Sequence, residues 1–109
     1  RAMAWLFLFA GIVLEVLGTT SMKLSAGLTR PAYAVAMFVC YGLSLSAIAL
    51  ALKELDVSLV YAIWAGLGTA LVAAIGILHF HEPASALKLA SHGLIVAGVV
   101  GLGFAGVGR

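Results

Sequence analysis

The side chain best suited to chemistry is that of Glu15, the single charged residue in the apolar run from residue 2 to residue 22. A charge deep in a membrane costs roughly 3 kcal/mol or more, so such groups are usually kept to handle an ion, a proton or a cationic substrate. On a helix, Gly11, Gly18 and Thr19 share the face of Glu15 by their spacing of three or four residues. We expect this small, polar face to let a neighbour or a ligand reach the carboxylate.

Deep aromatic side chains supply the second component of a cation site. Tyr41 lies near the middle of the second apolar run, and Trp64 lies about 5 Å from the centre of the third, too deep for the interfacial aromatic belt. Ser44 shares the face of Tyr41, and Tyr61 shares that of Trp64. Ring faces attract cations, and a buried phenol or indole needs a partner, for which Glu15 is the expected acceptor. The pattern indicates a site for an organic cation, with structural packing of the rings as the alternative.

These residues have to be positioned by membrane helices. The chain of 109 residues is 64% hydrophobic and 9% charged, with a mean hydropathy of +1.21, whereas a soluble domain carries about 25% charged residues. About 20 apolar residues span the hydrocarbon core of a bilayer. We predict an all-α membrane protein, multi-pass in the cell inner (plasma) membrane, with one domain over residues 1–109. Its four transmembrane helices are predicted at approximately residues 2–22, 31–52, 57–78 and 85–106.

The charges in the short loops that connect the predicted helices, here called joints, give almost no signal for the orientation of the chain in the membrane. The basic residues divide three against three between the two sides of the membrane: Arg1, Lys53 and Arg109 against Lys23, Arg30 and Lys88. Because the Lys and Arg bias of short loops sets orientation, this balance favours insertion both ways round; weak topology information in a small protein is the alternative. An antiparallel homodimer would supply the two inverted repeats between which transporters commonly place their site.

The fourth apolar run offers a contact surface for a second copy of the chain. Small residues recur there every three or four positions, a spacing that lets helix backbones approach closely in lipid. The residues predicted to make the dimer contact are Ala90, Gly93, Ala97, Gly98 and Gly101. The alternative is that Gly and Ala are simply common in this chain.

Several of these residues belong to longer motifs. Glu15-Val-Leu-Gly-Thr-Thr, Met22-Lys23, Gly27-Leu-Thr-Arg30 and Tyr61-Ala-Ile-Trp64-Ala-Gly-Leu-Gly68 together resemble the small multidrug resistance family, over essentially the whole chain. The resemblance implies a proton-coupled exporter of cations that works as an antiparallel, dual-topology homodimer. Glu15 would bind protons and substrate in turn.

The same resemblance assigns further roles on the third helix. Tyr61 and Trp64 would line the pocket, and Gly66 and Gly68 would lie where that helix bends during exchange. With Gly18, Thr19, Tyr41 and Ser44 from the first two helices, these residues complete the predicted site.

The substrate branch depends on features that point in two directions. Gly18-Thr19-Thr20 after the carboxylate looks like the branch that exports quaternary ammonium compounds and cationic dyes, and leaves room beside Glu15 for a bulky cation. His81-Glu82-Pro83 looks more like the guanidinium-exporting branch. We predict the quaternary ammonium branch. Guanidinium, a choline- or betaine-type osmolyte, and a role as one subunit of a heteromeric pair stay open.

Other function classes have little support. The net charge of +2 is too small to suggest a nucleic-acid partner. His79 and His81 form an incomplete ligand set for a metal, and no nucleophile arrangement or phosphate-binding loop indicates an enzyme or ATP-driven transport. We therefore expect no cofactor and no metal. The expected partners are the organic cation, protons, the lipid bilayer and a second copy of the chain.

Overall fold

The computed structural model describes residues 2–106, and these residues form four α-helices and no strand. The helices are α1 (Ala2–Leu24), α2 (Pro31–Ala51), α3 (Val57–Leu78) and α4 (Ala86–Gly106). All four are long and apolar enough to cross a membrane. The prediction of an all-α membrane protein with four spans is therefore confirmed. Arg1 and Arg109, which entered the charge count, lie outside the described residues.

The helices belong to two compact units, which divide between Leu55 and Asp56. In the first unit, α1 and α2 pack along an apolar contact in which Leu8 and Ile12 are completely buried. The other buried apolar side chains of this contact follow helical spacing on both helices: Ala4 and Val16 on α1, and Met37, Ala47, Ile48 and Ala51 on α2. This packing holds the two helices that carry Glu15 and Tyr41.

A close backbone approach occurs in the middle of this contact. The Ser44 hydroxyl donates a hydrogen bond to the backbone carbonyl oxygen of Gly11 at 2.7 Å. A Cβ atom on Gly11 would lie only 2.7 Å from Cγ1 of Ile48. A small residue and a hydroxyl in such a contact are the usual means by which membrane helices associate, because lipid provides little hydrophobic driving force between them.

The turn between α1 and α2 is organised by Ser25, which is 1% exposed. Its hydroxyl donates to the carbonyl oxygen of Met22 at 2.7 Å and accepts from the backbone N–H of Leu28 at 3.1 Å. Gly27 adopts a φ of 74°, in the left-handed region that glycine enters without steric cost. Pro31 then starts α2, where its missing N–H would have had no helical partner.

In the second unit, α3 and α4 approach at Gly66, where an added Cβ atom would collide with the side chain of Val99. The joint between them folds back on α3, since the backbone N–H of Glu82 donates to the carbonyl oxygen of Gly76 at 2.9 Å. Ser85 caps α4, because its hydroxyl accepts from the backbone N–H of Lys88 at 3.1 Å. The helix α3 continues without a break through Gly66 and Gly68, so the bend at these glycines stays a prediction.

Candidate cation-binding site

The centre of the candidate site is a chain of three side chains that joins α1 to α2. Thr19 lies one helical turn after Glu15, and its hydroxyl donates to Oε1 of Glu15 at 3.3 Å. The same hydroxyl oxygen lies 2.7 Å from the hydroxyl of Tyr41. The structure therefore brings together three of the residues that the sequence analysis assigned to the site.

The hydrogens of this chain have a defined direction when Glu15 is charged. A carboxylate only accepts hydrogen bonds, and Thr19 has a single hydroxyl hydrogen, which goes to Glu15. Tyr41 must then be the donor in its bond with Thr19. From the sequence we predicted that Glu15 accepts a hydrogen bond from a buried phenol, and for Tyr41 this prediction needs correction. The Tyr41 hydroxyl is hydrogen-bonded to Thr19 instead. Thr19 lies between Tyr41 and Glu15 because it is on the face of α1 that packs against α2.

The second carboxylate oxygen of Glu15 is in a different environment. Oε2 is buried and has no hydrogen-bond partner within the described part of the chain. A buried polar atom without a partner costs roughly 1–3 kcal/mol, and more when it is charged. Such an atom has its full capacity to accept from a ligand that brings a proton or a positive charge.

Gly18 lies directly beneath the Tyr41 ring. A Cβ atom on Gly18 would be 2.7 Å from both Cδ1 and Cε1 of Tyr41, and 3.4 Å from Cβ of Cys40. From the sequence we predicted that Gly18 leaves space beside Glu15 for a bulky cation. In the structure an aromatic ring of α2 occupies that space, because the two helices cross closely at this level.

Ser44 has a role that the sequence analysis did not foresee. It was assigned to the ligand site because it shares a helical face with Tyr41. The structure leaves it 1% exposed, with its hydroxyl bonded to Gly11 across the helix contact. In this arrangement Ser44 joins α1 to α2 and its hydroxyl hydrogen is already used within the protein; its place in the ligand site stays a prediction.

In the second unit, Tyr61 and Trp64 form an aromatic pair on α3. Their ring centroids are 6.1 Å apart and their planes meet at 77°, the edge-to-face arrangement that aromatic rings favour. Tyr61 is 65% exposed. Gly66 and Gly68 follow within about one turn and are buried, Gly66 against Val99. The contact of Val99 with Gly66 could not be predicted from the sequence, because the position of Val99 along α4 does not indicate which residue of α3 it faces.

The small residues of α4 form an open surface. Ala90, Gly93, Ala97, Gly98 and Gly101 are all exposed. Added Cβ atoms on Gly93, Gly98 and Gly101 would meet no other atom within 4 Å. This surface has room for a close neighbour; the dimer contact itself stays a prediction.

No group of three or more His, Cys, Asp or Glu side chains that could hold a metal ion occurs in residues 2–106. His79 instead packs edge-on against Phe80, with ring centroids 4.8 Å apart. The prediction that the chain needs no metal stays a prediction.

Comparison with known proteins identifies one family for this chain. The pattern of the family described as Small Multidrug Resistance protein matches residues 3–95. The Uncharacterized membrane protein YvaE of Bacillus subtilis (strain 168) is 47% identical over 100 residues, covering 92% of this chain and 84% of that protein. The Multidrug resistance protein EbrB of Bacillus licheniformis is 43% identical over 94 residues, covering 86% and 79%. The Quaternary ammonium compound-resistance protein QacE of Escherichia coli is 39% identical over 96 residues, covering 88% and 87%.

Two of these names describe resistance to drugs or to quaternary ammonium compounds, which agrees with the branch that the motif around Glu15 indicates. The family match covers most of the chain and includes the residues from Glu15 to Gly68 that carry the motifs. The family match, together with the four membrane helices, supports a transporter rather than an enzyme. The chain is a multi-pass membrane protein that belongs to the small multidrug resistance family of transporters.

Proposed function

We propose that this protein is a proton-coupled antiporter that exports organic cations, and that Glu15 binds protons and substrate in turn. The observation that carries the proposal is the buried Oε2 atom of Glu15, which has no hydrogen-bond partner within residues 2–106. An anionic oxygen in this position gains stability from a proton or from a cation, and both cannot use it fully at once.

Competition for one carboxylate is sufficient to couple two gradients. Binding of a cation displaces the proton, and binding of a proton displaces the cation. The empty, charged site is costly to move through the membrane interior, so the protein changes its accessible side mainly when one ligand is bound. A proton gradient then drives the cation outward.

The aromatic contact to the substrate is assigned to Tyr61 and Trp64. Their edge-to-face pair offers ring surface on α3, and a ring face contributes roughly 0.5–2 kcal/mol to binding a cation. Quaternary ammonium compounds and cationic dyes are the proposed substrates, in line with the name of the E. coli relative. Such cations combine a positive charge with apolar surface, which suits this pair of rings.

A smaller cation is the second candidate substrate. The Tyr41 ring fills the space at Gly18, so the room beside Glu15 is smaller than the sequence alone suggests. Guanidinium or a choline- or betaine-type osmolyte would need less space. Transport measured against a panel of these compounds and a lipophilic quaternary ammonium compound separates the two candidates.

The proposed working unit is an antiparallel homodimer in which each copy is one four-helix domain. The open small-residue surface of α4 supports close contact with a second copy. The balanced loop charges support insertion in both orientations. Pairing with a different chain of opposite charge bias is the alternative assembly.

The decisive experiment is proton-driven cation transport in proteoliposomes with Glu15→Gln. Glu54→Gln is the matched control, because it makes the same chemical change in the joint after α2, outside the helices. We expect Glu15→Gln to abolish coupled transport and the pH dependence of cation binding, while Glu54→Gln retains both. Coupled transport by Glu15→Gln would overturn the proposal.

A further inference from the structure

The two carboxylate oxygens of Glu15 differ in their surroundings, and this difference gives Thr19 and Tyr41 separate tasks. We propose that Thr19 is a positioning residue that holds Oε1 and leaves Oε2 to the proton or the cation, and that Tyr41 acts on Glu15 only through Thr19. The inference rests on the proposed function of Glu15 as the shared binding group.

The Thr19 hydroxyl does not make the hydrogen bond that is usual for a threonine within a helix. Such a hydroxyl commonly donates to the backbone carbonyl four residues earlier. The neighbouring Thr20 does so, donating to the carbonyl oxygen of Val16 at 2.9 Å. Thr19 instead reaches the side chain of Glu15. A group outside α1 therefore orients the Thr19 hydroxyl.

Tyr41 is the group that selects it. Its hydroxyl lies 2.7 Å from the Thr19 oxygen and, as the donor, needs the lone pairs of that oxygen turned towards α2. The hydrogen of Thr19 is thereby directed towards Glu15. The ring of Tyr41 is held in place by its contact with Gly18, so the hydroxyl arrives at a defined point.

The consequence is an asymmetric carboxylate. Oε1 accepts a hydrogen bond from the Thr19 hydroxyl, with an O···O distance of 3.3 Å. Oε2 receives none within the described residues and is buried. A proton or a cation therefore gains most at Oε2. Rotation of the carboxylate would exchange the two oxygens, and the bond from Thr19 opposes that rotation.

Nothing else on α2 competes for this role. The helix contains no charged residue, and its titratable side chains are Tyr33, Cys40 and Tyr41. Of these, Cys40 and Tyr41 lie against Gly18 of α1. On α1 itself the second charged residue is Lys23, two turns beyond Glu15 near the end of the helix.

A double-mutant cycle tests the indirect action of Tyr41. The full-length protein in detergent is titrated with a fluorescent quaternary ammonium compound across a pH series, using Thr19→Val, Tyr41→Phe and the combined variant. We expect each single change to weaken binding roughly tenfold, because the carboxylate can then rotate and Oε2 is no longer held towards the ligand; loss of a group that orients a binding side chain commonly has an effect of this size. The combined variant should lose no more than either single variant. Thr19→Ser, which keeps the hydroxyl, should stay within about twofold of the original protein.

The pH series and an infrared measurement provide readouts that a general loss of packing would not produce. Thr19→Val and Tyr41→Phe should displace the pH profile of binding equally. Both should also change the carboxylate stretching bands of Glu15, assigned by their disappearance in Glu15→Gln, because one oxygen loses its donor. Independent, additive losses in the two single variants would overturn the inference, as would carboxylate bands unaffected by Thr19→Val.

Glu15→Gln measured in parallel separates this inference from the proposed function. If that variant keeps pH-dependent cation binding, the proposed function fails. If it loses binding while Thr19→Val and Tyr41→Phe act independently, the function stands and the indirect action of Tyr41 is wrong.

Discussion

Gly18 and Tyr41 occupy complementary positions on α1 and α2: a Cβ atom on Gly18 would lie 2.7 Å from two carbon atoms of the Tyr41 ring. The ring of Tyr41 occupies the space that a side chain on Gly18 would need. Because Tyr41 is bonded to Thr19, and Thr19 to Glu15, this steric relationship reaches the carboxylate through two hydrogen bonds. A larger side chain in place of Gly18 is therefore expected to change the geometry around Glu15 as well as the space available to a substrate.

Gly18→Ala tests this relationship. The added methyl group forces Tyr41 to move, and overpacking of this kind typically costs about 1–3 kcal/mol of unfolding free energy. We expect weaker binding of small and bulky cations alike, measured by fluorescence titration. Gly42→Ala is the matched control, because a Cβ atom there meets nothing within 4 Å. Loss of bulky cations alone would mean that Gly18 serves as space for the substrate.

The contact between Ser44 and Gly11 is expected to stabilise the pairing of α1 and α2. Ser44→Ala removes the interhelical hydrogen bond and should lower the free energy of unfolding by about 0.5–1.5 kcal/mol. Ser46→Ala is the control, since the Ser46 hydroxyl donates within its own helix to the carbonyl oxygen of Gly42. Unfolding in mixed detergent micelles measures both. Equal stability of the two variants would contradict the structural role of Ser44.

Trp64 is expected to select for hydrophobic cations. Trp64→Phe should weaken their binding and Trp64→Ala should weaken it further, by about 2- to 30-fold in Kd, as the cation–π range implies. Trp5→Phe is the control, because Trp5 lies on α1 and stacks on Phe9. Competition against a labelled lipophilic ammonium compound gives the affinities. An unchanged Kd in Trp64→Ala would remove this residue from the substrate site.

Gly66 allows a test that separates packing from bending on α3. Gly66→Ala should reduce transport, because the methyl group collides with Val99. If packing is the cause, Gly66→Ala combined with Val99→Ala restores transport, since the second change removes the obstruction. If the glycine is needed for the bend of α3, the double variant stays defective. Gly103→Ala on α4, where an added Cβ atom meets nothing within 4 Å and which is not among the predicted dimer-contact residues, controls for the loss of a glycine.

Dual topology leads to a measurable distribution of orientations. Reporters with opposite compartment requirements, fused after the last residue of the chain, should both give signal. Two added Lys residues in the joint between α2 and α3 should shift the population to one orientation and reduce transport, because loop Lys residues favour the cytoplasmic side. An oppositely biased copy should restore transport. Signal from only one reporter in the unmodified chain would contradict insertion in both orientations.

The amino-acid sequence alone was sufficient for the all-α architecture, because four runs of about 20 apolar residues have few other stable states. It also led to the prediction that Glu15 is the chemical centre, since a carboxylate in such a run is costly and is usually kept for a function. The motif from Tyr61 to Gly68 indicated the family, which the match over residues 3–95 confirms.

The tertiary structure decided which polar groups meet. Helical spacing places Thr19, Gly18 and Ser44 on faces of their helices, but it does not say which neighbour each face meets or at what depth. The crossing of α1 and α2 puts Thr19 between Tyr41 and Glu15, fills the space at Gly18 with an aromatic ring, and turns Ser44 towards Gly11. The physical reason is that the relative shift and rotation of two packed helices depend on many side-chain contacts at once, whereas periodicity along one helix reports only its own geometry.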